Sequence, residues 1–363
     1  MIAGPLQGLK VVEFAGLGPG PFAAMLLADA GADVVRIDRP RPPVDGGALV
    51  RGRPVLHLDL KSEDGRARAR EIIDHADVLI EGFRPGVMER LGLGPDECLG
   101  VNPGLVYGRM TGWGQDGPRA QQAGHDINYL ALTGALRSFA RAGQAPVPPL
   151  NVVADYGGGG MMLAFGVLAA LQARGRTGRG QVVDTAMVDG VSLLMTGVWS
   201  RRAQGRWPGE PGHNELDTGA PFYDVYATSD GGYMAVGSIE PQFWSRLLQG
   251  LQISPADLPD QWDRTRWPET KKVLAEVFAS RTRAEWTAVF DPLDACVTPV
   301  LDLGEAPDDP HLRARGTLFD TGDGPQPAAA PRLAGTPLRA AAGDPGTAED
   351  TLRRWGVPAE ART

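Results

Sequence analysis

Two proton-active side chains stand next to each other in QQAGHDINYL (121–130), where His125 precedes Asp126. Consecutive residues usually point in different directions, so the two need not form a hydrogen-bonded pair. His125 fits either a buried, hydrogen-bonded histidine or a general base. Asp126 lies where a helix is predicted to begin, so a role as N-cap competes with a chemical one. The pair alone leaves its chemistry open.

Two further carboxylates stand where a site could form. Asp155 lies in VVADYGGGG, after an apolar run that predicts a short strand and before glycines that let a ligand approach the backbone closely. It either caps the next helix or faces a ligand. Glu240 ends a predicted strand in GSIEPQFW, where an acid is ordinarily solvated. Both carboxylates remain candidates at this point.

Other catalytic chemistries lack their motifs in this sequence. It has no G-x-S-x-G nucleophile elbow and no H-E-x-x-H motif, and its five histidines are scattered. Two cysteines in unrelated contexts, Cys98 and Cys296, argue against a thiolate zinc site or a disulfide scaffold. We therefore expect no metal, and chemistry carried by histidine and carboxylates, either proton transfer or acyl transfer.

Composition bounds the class of protein. The 363 residues suffice for two domains or one large one, and the net charge of −8 argues against binding to nucleic acid. No run of 18 apolar residues predicts a membrane span, and the N-terminus lacks the basic and apolar regions of a secretory signal. With only two cysteines, we expect a reducing, cytoplasmic location.

The N-terminal half must position the candidate residues, and its sequence alternates strands with helices. This alternation predicts an α/β fold with a doubly wound parallel sheet. Ser62 is the expected N-cap of one of the helices. The predicted strands are 10–15, 33–38, 77–82 and 105–110, and the predicted helices include 21–32 and 63–75.

Ligands of such sheets bind beyond the carboxyl ends of the strands. Three of the four strand ends carry an arginine, which suits a phosphate-bearing ligand, although a solvated surface explains the same residues. The first end, GLGPGP, mimics a dinucleotide-binding loop, but Pro21 stands where that motif needs Gly or Ala, so we predict a tight turn without a cofactor. The loops at the strand ends are 16–20, 38–39, 82–84 and 109–111.

The rest of the chain predicts helices, a linker and a second unit. A long apolar helix follows the glycines, and 178–190 predict a strand and the start of another helix. Residues 200–220 are polar and predict a linker, and 222–239 predict a β-hairpin. Helices follow to about 290, and 320–346 have the Ala, Pro and Gly content of a connector.

Several ordered motifs resemble those of the family III CoA transferases, and within them the racemase branch, which interconverts (2R)- and (2S)-2-methylacyl-CoA thioesters. The similarity extends over nearly the whole chain, through DLKSEDG, DVLIEGFRPGVMERLGLG, GHDINYLALTGAL, PPLNVVADYGGGG, GRGQVVDTAMVDG and VGSIEPQFW. The resemblance implies a Rossmann-like large domain and a smaller α+β domain, in a homodimer whose two chains interlock. The implied domains are 1–199 (large), 200–220 (linker), 221–315 (small) and 316–363 (connector and return to the large domain).

The resemblance separates the roles of the two neighbours. In the transferases, the position of Asp126 holds the nucleophile that forms an acyl anhydride. In the racemases the preceding position is histidine, so the resemblance makes His125 one base and Asp155 the other, on opposite faces of the substrate α-carbon. Glu240 then matches the acid that orients and charges the imidazole, and Asp126 offers its backbone N–H to the enolate oxygen.

The same resemblance implies that coenzyme A is part of the substrate and that no separate cofactor is needed. The glycines of 157–160 are then expected to leave room for the acyl group. One departure is Ala154, where the family often has Gly, and Ala is strained there if the site needs φ > 0. The residues implied in holding the CoA part are Arg39, Arg51, Leu58, Lys61, Gly82, Arg84, Arg90, Met110 and Tyr129.

A racemase that acts by 1,1-proton transfer through an enolate is therefore the expected function. A CoA transferase with Asp126 as nucleophile is the alternative, and a non-enzymatic acyl-CoA-binding protein is the third reading. The expected partners are an acyl-CoA thioester and a second copy of the chain, without nucleic acid or membrane. The identity of the acyl chain leaves no motif in the sequence.

Overall fold

Six parallel strands form the sheet of a computed structural model, which describes residues 4–39, 47–341, 343 and 345–358. The strands are β1 Lys10–Phe14, β2 Asp33–Asp38, β3 Val55–His57, β4 Val78–Glu81, β5 Val106–Thr111 and β6 Val182–Ala186. Their order is β3-β2-β1-β4-β5-β6, which confirms the predicted α/β fold with a parallel sheet. The order reverses between β1 and β4, and such sheets bind ligands at this switch point.

The buried strands are those that the sequence predicted. The first, second, fourth and fifth strands lie within two residues of their predicted bounds, because each is an uninterrupted run of buried residues. The prediction missed β3, a three-residue edge strand whose side chains are partly exposed. A short edge strand has neither the length nor the apolar pattern that identifies a buried one.

Helices connect and cover the strands. Ser62 caps the second helix as predicted, since its hydroxyl accepts a hydrogen bond from Gly65 N at 3.0 Å. The helices are α1 Pro19–Asp29, α2 Glu63–Asp74, α3 Val87–Arg90, α4 Pro95–Val101, α5 Asp126–Leu132, α6 Ala135–Ser138, α7 Met162–Thr177, α8 Met187–Leu194, α9 Thr196–Ala203, α10 Pro241–Leu251, α11 Trp267–Phe278, α12 Arg283–Phe290, α13 Pro310–Arg315 and α14 Ala348–Trp355.

One face of the sheet packs against α2, α4 and α14. Phe14 and Ile37 from the strands meet Ile72 of α2 and the C-terminal Leu352 and Trp355, all of them buried in one apolar cluster. Burying a side chain of this size contributes roughly 1.5–3 kcal/mol. The C-terminal helix is therefore part of the core that covers this face of the sheet. The packing also stabilises the ends of β1 and β2, which border the candidate site.

The segment before α7 is helical, whereas the sequence predicted a short strand there. Val152–Met161 forms π-helical turns that run directly into α7. Its glycines lie so close to the backbone of neighbouring helices that a side chain would not fit. A Cβ on Gly158 would lie 2.9 Å from Val191 N, and one on Gly160 would lie 2.9 Å from Pro19 O. The expectation of room for an acyl group is wrong for Gly158, Gly159 and Gly160, because these three are buried against α1 and α8. Gly157 is half-buried, and for it the expectation stays a prediction.

The described chain divides by its internal contacts into two compact units. The first comprises Met1–Thr133, Pro149–Leu194 and His311–Thr363, and the second comprises Gly134–Pro148 and Met195–Pro310. The segment 134–148, which the implied layout assigned to the large domain, thus has its contacts in the second unit. The division of the chain into a large domain, a linker, a small domain and a connector stays a prediction.

The second unit contains a three-stranded antiparallel sheet with β8 in the middle. The β7–β8 hairpin was predicted, and helices α10 to α12 cover the sheet through Leu247, Phe278 and Trp286. Residues 200–220, predicted as a linker, include the end of α9. The remaining strands are β7 Asp224–Ala227, β8 Tyr233–Val236 and β9 Val297–Pro299 in this unit, and the hairpin of β10 Leu318–Asp320 with β11 Pro325–Pro327 in the first.

One helical run in the described chain, Val152–Thr177, is long and apolar enough to cross a membrane by length and composition alone. Core helices of soluble proteins pass the same test. The beginning of this run lies against α1 and α8, with Leu163 and Val167 fully buried near β5. These contacts bury one side of the run, whereas Met161, Phe165 and Leu168 on it are exposed.

Candidate active site

His125 stands at the entrance to α5. It is the residue before the first helical turn, with an extended backbone, so the N-cap is His125 and Asp126 is the first helical residue. The backbone N–H of His125 donates to Asn128 Oδ1 at 3.0 Å, and Asn128 N donates back to His125 O at 2.8 Å. These two bonds fix the backbone that carries the imidazole, which is exposed.

Asp155 lies in the first turn of the π-helical segment, beside the turn that follows β1. A Cβ on Gly18, whose φ is +66°, would lie 3.0 Å from Asp155 Oδ2, so glycine is what lets the chain pass this close to the carboxylate. Asn151 Nδ2 donates to the same oxygen at 3.3 Å. The GLGPGP loop therefore forms a tight turn against a carboxylate.

Burial raises the pKa of Asp155 above the usual value for an aspartate. The hydrogen bond from Asn151 opposes the shift, the nearby Asp126 charge adds to it, and His125 opposes it. A protonated imidazole therefore favours the ionised carboxylate of Asp155. The two side chains are electrostatically coupled, as an acid and a base that serve one substrate should be.

Both side chains open on one cavity of about 560 Å³, here the His125 cavity. It lies beyond the carboxyl ends of β1, β4 and β5, at the switch point of the sheet. His125 and Asp155 were predicted as a pair from positions thirty residues apart, and the structure brings them to the same cavity. The residues implied in CoA binding that also line it are Gly82, Arg84, Met110 and Tyr129.

The carboxylate of Asp126 has a different position. Its side chain is 5% exposed and does not line the His125 cavity among the described residues. Its Oδ2 accepts hydrogen bonds from Ala154 N and Asp155 N, each at 2.8 Å. It therefore caps the first turn of the helix that carries Asp155, and it ties that helix to the one that His125 precedes.

Ala154 is accommodated without strain. It is fully buried in the π-helical segment and is not among the described residues with positive φ. The departure from the glycine of the family is therefore harmless at this position.

Tyr129 forms part of the wall beside His125. Its ring is buried and meets Trp113 edge to face at 4.8 Å, and Gly112 and Gly124 lie so close that a Cβ on either would collide with it. Burial, with the nearby charges of Asp155 and Asp126, raises the pKa of Tyr129 to about 12. The hydroxyl is therefore protonated at neutral pH and can donate a hydrogen bond.

A second cavity of about 420 Å³, here the Lys61 cavity, lies beyond β2 and β3. Three of the residues implied in CoA binding line it: Arg39, Leu58 and Lys61. The walls of the cavity beside these cations are apolar and are formed by Ile37, Leu60, Val87 and Leu91. The two cavities share Phe14, Gly16, Leu17 and Phe83, so they meet around these side chains.

The other implied residues lie elsewhere. The guanidinium of Arg51 pairs with the buried Asp29 and donates to Pro327 O, and Arg90 is exposed at the end of α3. Neither lines a cavity among the described residues. Glu240 belongs to the second unit, where it is the exposed N-cap of α10. The roles implied for these three residues stay predictions.

The sequence analysis missed three side chains that shape the cavities. Phe83 lines both of them, Trp113 lines the His125 cavity, and Glu81 is buried beneath the loop that contains Phe83. Glu81 could have been noticed, because a charged residue within the predicted strand DVLIEG needs a buried partner. The aromatic residues carry no such signal. Among the described residues, no group of three or more His, Cys, Asp or Glu side chains could hold a metal ion.

Comparison with known proteins gives the family. The model of CoA-transferase family III matches residues 6–351, and the chain belongs to this family. The chain is 49% identical over 360 residues to the alpha-methylacyl-CoA racemase of Mus musculus, covering 98% of this chain and 94% of the relative. The Homo sapiens alpha-methylacyl-CoA racemase is 49% identical, with 92% and 87% covered. A CaiB/BaiF family protein from Brucella suis superposes with a TM-score of 0.82 at 26% identity, with 98% and 99% covered.

Proposed function

We propose that this protein interconverts (2R)- and (2S)-2-methylacyl-CoA thioesters, with His125 and Asp155 as the two acid/base groups. Racemase activity on methylacyl-CoA follows from 49% identity to two such racemases over nearly the whole chain. The observation that supports the residue roles is geometric. His125 and Asp155 open on one cavity, whereas the carboxylate of Asp126 is buried and bound to backbone N–H groups.

The reaction inverts C2 through an enolate. One group takes the C2 proton from one face, the electron pair of the C–H bond moves into the thioester carbonyl, and the other group returns a proton to the opposite face. In one direction His125 is the base and Asp155 the acid, and in the other they exchange roles. Burial raises the pKa of Asp155, which supports its part as proton donor.

The enolate oxygen needs a hydrogen-bond donor. The backbone N–H of Asp126 is the first of α5 and, like the other N–H groups of a first turn, it has no acceptor within the helix. A donor of this kind stabilises the negative charge that develops on the oxygen. In this proposal the backbone N–H of Asp126 binds the substrate, whereas its carboxylate holds the backbone of Ala154 and Asp155 in place.

The CoA part is assigned to the Lys61 cavity. Its apolar walls suit adenine, and Arg39 and Lys61 suit the phosphates. The pantetheine arm then passes Phe83 and Gly16, where the cavities meet, and brings the thioester to His125. CoA itself is part of the substrate in this proposal; the absence of a separate cofactor and the cytoplasmic location stay predictions.

A second copy of the chain is the proposed partner. Met161, Phe165 and Leu168 are spaced four and three residues apart on one face of a helix, and they are 51%, 66% and 42% exposed. Leu193 and Leu194 of α8 are also more than half exposed. An apolar surface of this kind supports burial against another protein surface, and the family resemblance implies an interlocked dimer.

The dimer predicts twice the mass of one chain in solution at micromolar concentration. Phe165→Asp places a charge on the apolar face and is expected to shift the mass toward one chain, because the charge would be buried without a partner. The measurement is sedimentation equilibrium of both proteins, with Leu303→Asp as a control at a side chain that is 93% exposed. A wild-type protein with the mass of one chain would contradict the proposal.

The function is tested with one epimer of a 2-methylacyl-CoA in D2O. We expect deuterium at C2 together with the opposite epimer, because the proton that is returned comes from a group in exchange with solvent. The measurements are mass spectrometry of the thioester and chiral separation of the released acid. An acyl-enzyme trapped by hydroxylamine, with CoA moving to a second carboxylate, would instead favour a transferase. Binding without any exchange would favour a non-enzymatic acyl-CoA-binding protein.

A further inference from the structure

Glu81 is a buried carboxylate to which the proposed reaction gives no role. It ends β4 and is 1% exposed. Its Oε2 accepts a hydrogen bond from Phe83 N at 2.8 Å, and its Oε1 accepts one from Arg109 Nε at 3.0 Å. A buried carboxylate is unfavourable unless its oxygens are satisfied, and these two bonds satisfy one oxygen each.

Arg109 extends the contact to a third element. It lies directly opposite Glu81 in the register of β4 and β5, and its Nη1 lies 2.8 Å from Glu89 Oε1 on α3. Glu89 is 41% exposed, so this ion pair faces solvent, whereas the pair of Glu81 with Arg109 is buried. The three side chains join β4, β5 and α3, the elements that surround the loop from Gly82 to Gly86.

The loop that Glu81 holds forms the junction of the two cavities. Gly82, Phe83, Arg84 and Pro85 line the His125 cavity, and Phe83 lines the Lys61 cavity as well. The ring of Phe83 packs against Phe14, the other aromatic residue that both cavities share, at 6.1 Å between centroids. Because Glu81 binds the backbone N–H of Phe83 itself, its carboxylate sets where this ring stands.

We propose that ionised Glu81 is a positioning residue for the CoA thioester: through Phe83 it keeps the junction between the Lys61 cavity and the His125 cavity in the shape that the ligand needs. The inference rests on the proposed function, which takes the CoA part through this junction. Glu81 lines neither of the two cavities among the described residues, so we expect its effect on ligand binding rather than on proton transfer.

The surroundings of Glu81 make this effect depend on pH. Burial raises its pKa to about 6, against the opposing hydrogen bonds from Phe83 and Arg109 and with a small contribution from Glu89. Two further titratable groups of the described residues lie near this ion pair: the ring of Tyr107 lies beneath Arg109, and Asp184 lies opposite Arg109 in the register of β5 and β6. At pH 8 Glu81 is ionised and both hydrogen bonds are charge-assisted, whereas at pH 5 it is neutral and both are weaker.

Glu81→Gln is expected to fold. A carboxyl whose pKa is raised in the folded protein is favoured in its neutral form, so its contribution to stability is present at low pH and declines as pH rises through about 6. Glutamine is neutral at every pH and has nearly the same shape. The variant therefore mimics the protonated state of Glu81 rather than removing the side chain.

The test measures the Kd of CoA by calorimetry at pH 5 and pH 8. We expect Glu81→Gln to bind CoA about tenfold more weakly than the wild type at pH 8 and within about twofold of it at pH 5. The ratio of the two Kd values at each pH cancels every pH effect on CoA binding that the two proteins share. In turnover, KM for the thioester rises by a similar factor while kcat changes little.

Two matched variants serve as controls. Glu89→Gln removes the exposed partner of the same arginine and is expected to change the Kd by less than about twofold at either pH. Lys61→Ala removes a cation from the Lys61 cavity and is expected to weaken binding by a similar factor at both pH values. Only Glu81→Gln should show a ratio that depends on pH.

The outcomes separate the two proposals. A wild-type protein that does not bind CoA would overturn the proposed function. Wild-type binding with an unchanged Kd in Glu81→Gln would overturn the positioning role alone, and an equal loss at both pH values would show that the side chain matters but its charge does not. If the variant fails to fold, hydrogen exchange of the wild-type segment 82–86 decides instead, with lower protection at pH 5 than at pH 8 expected.

Discussion

His125→Ala will abolish inversion of both epimers, yet the α-proton of one epimer will still exchange with solvent. Removing a positioned acid/base group lowers the rate of the step that it serves by roughly 10²- to 10⁴-fold. Asp155 remains on its side of the His125 cavity and can still remove and return a proton on that face. Exchange without inversion is therefore expected for the epimer whose C2 proton faces Asp155.

Asp155→Ala will give the mirror result. Inversion is lost again, and exchange is retained for the epimer whose proton faces His125. Racemisation followed by chiral separation, and deuterium incorporation followed by mass spectrometry, measure the two processes separately. His75→Ala and Asp96→Asn are matched controls, because neither side chain lines a cavity among the described residues.

The pattern across the variants is more informative than the loss of rate. If each variant retained exchange for both epimers, neither residue would be needed to remove the C2 proton, and the two-base assignment would be wrong. If one variant lost exchange for both epimers while the other kept it, a single base would serve both faces. If inversion survived in either variant, the residue replaced would have no part in the proton transfer. Glu240→Gln tests the role implied for that acid in the same assays.

The sheet could be predicted because its information is local. The buried strands are rich enough in apolar residues to be recognised without knowledge of their neighbours, as in KVVEF of β1 and VLIE of β4. The helical state of Val152–Met161 could not be predicted in this way. Its first residues have the composition of a strand, and the contacts of its glycines with α1 and α8 decide the matter.

The roles of the arginines could likewise not be predicted from the sequence alone. The sequence indicated a group of cations that could bind phosphates, and the structure divides that group by partner. Arg36 and Arg53 pair with the fully buried Glu13, and Arg109 pairs with Glu81. A carboxylate within a predicted strand indicates that a buried partner is needed, but the sequence does not show which arginine that partner is. Among the described residues, the arginines and lysines that line the His125 cavity or the Lys61 cavity without such a buried pair are Arg39, Lys61 and Arg84.

Asp126→Ala and Asp126→Asn will differ strongly, and the difference distinguishes a racemase from a transferase. Alanine leaves the N–H groups of Ala154 and Asp155 without their acceptor, and losing bonds to a charged group is expected to lower the free energy of unfolding by about 3 kcal/mol. Asparagine keeps an acceptor oxygen of the same reach, and a loss of about 1 kcal/mol is expected. Thermal or denaturant unfolding measures both values.

Activity should follow the same order. In the alanine variant the turn that carries Asp155 is no longer held beside His125, and a displacement of about 1 Å at a reacting group lowers the rate roughly 100-fold. Asparagine should retain racemisation within about tenfold, because the acceptor and the backbone N–H of residue 126 are both kept. A nucleophile has the opposite requirement: asparagine cannot form the acyl anhydride, so both variants of a transferase would be equally inactive. The activity of Asp126→Asn therefore reports directly whether this carboxylate serves the fold or attacks the thioester.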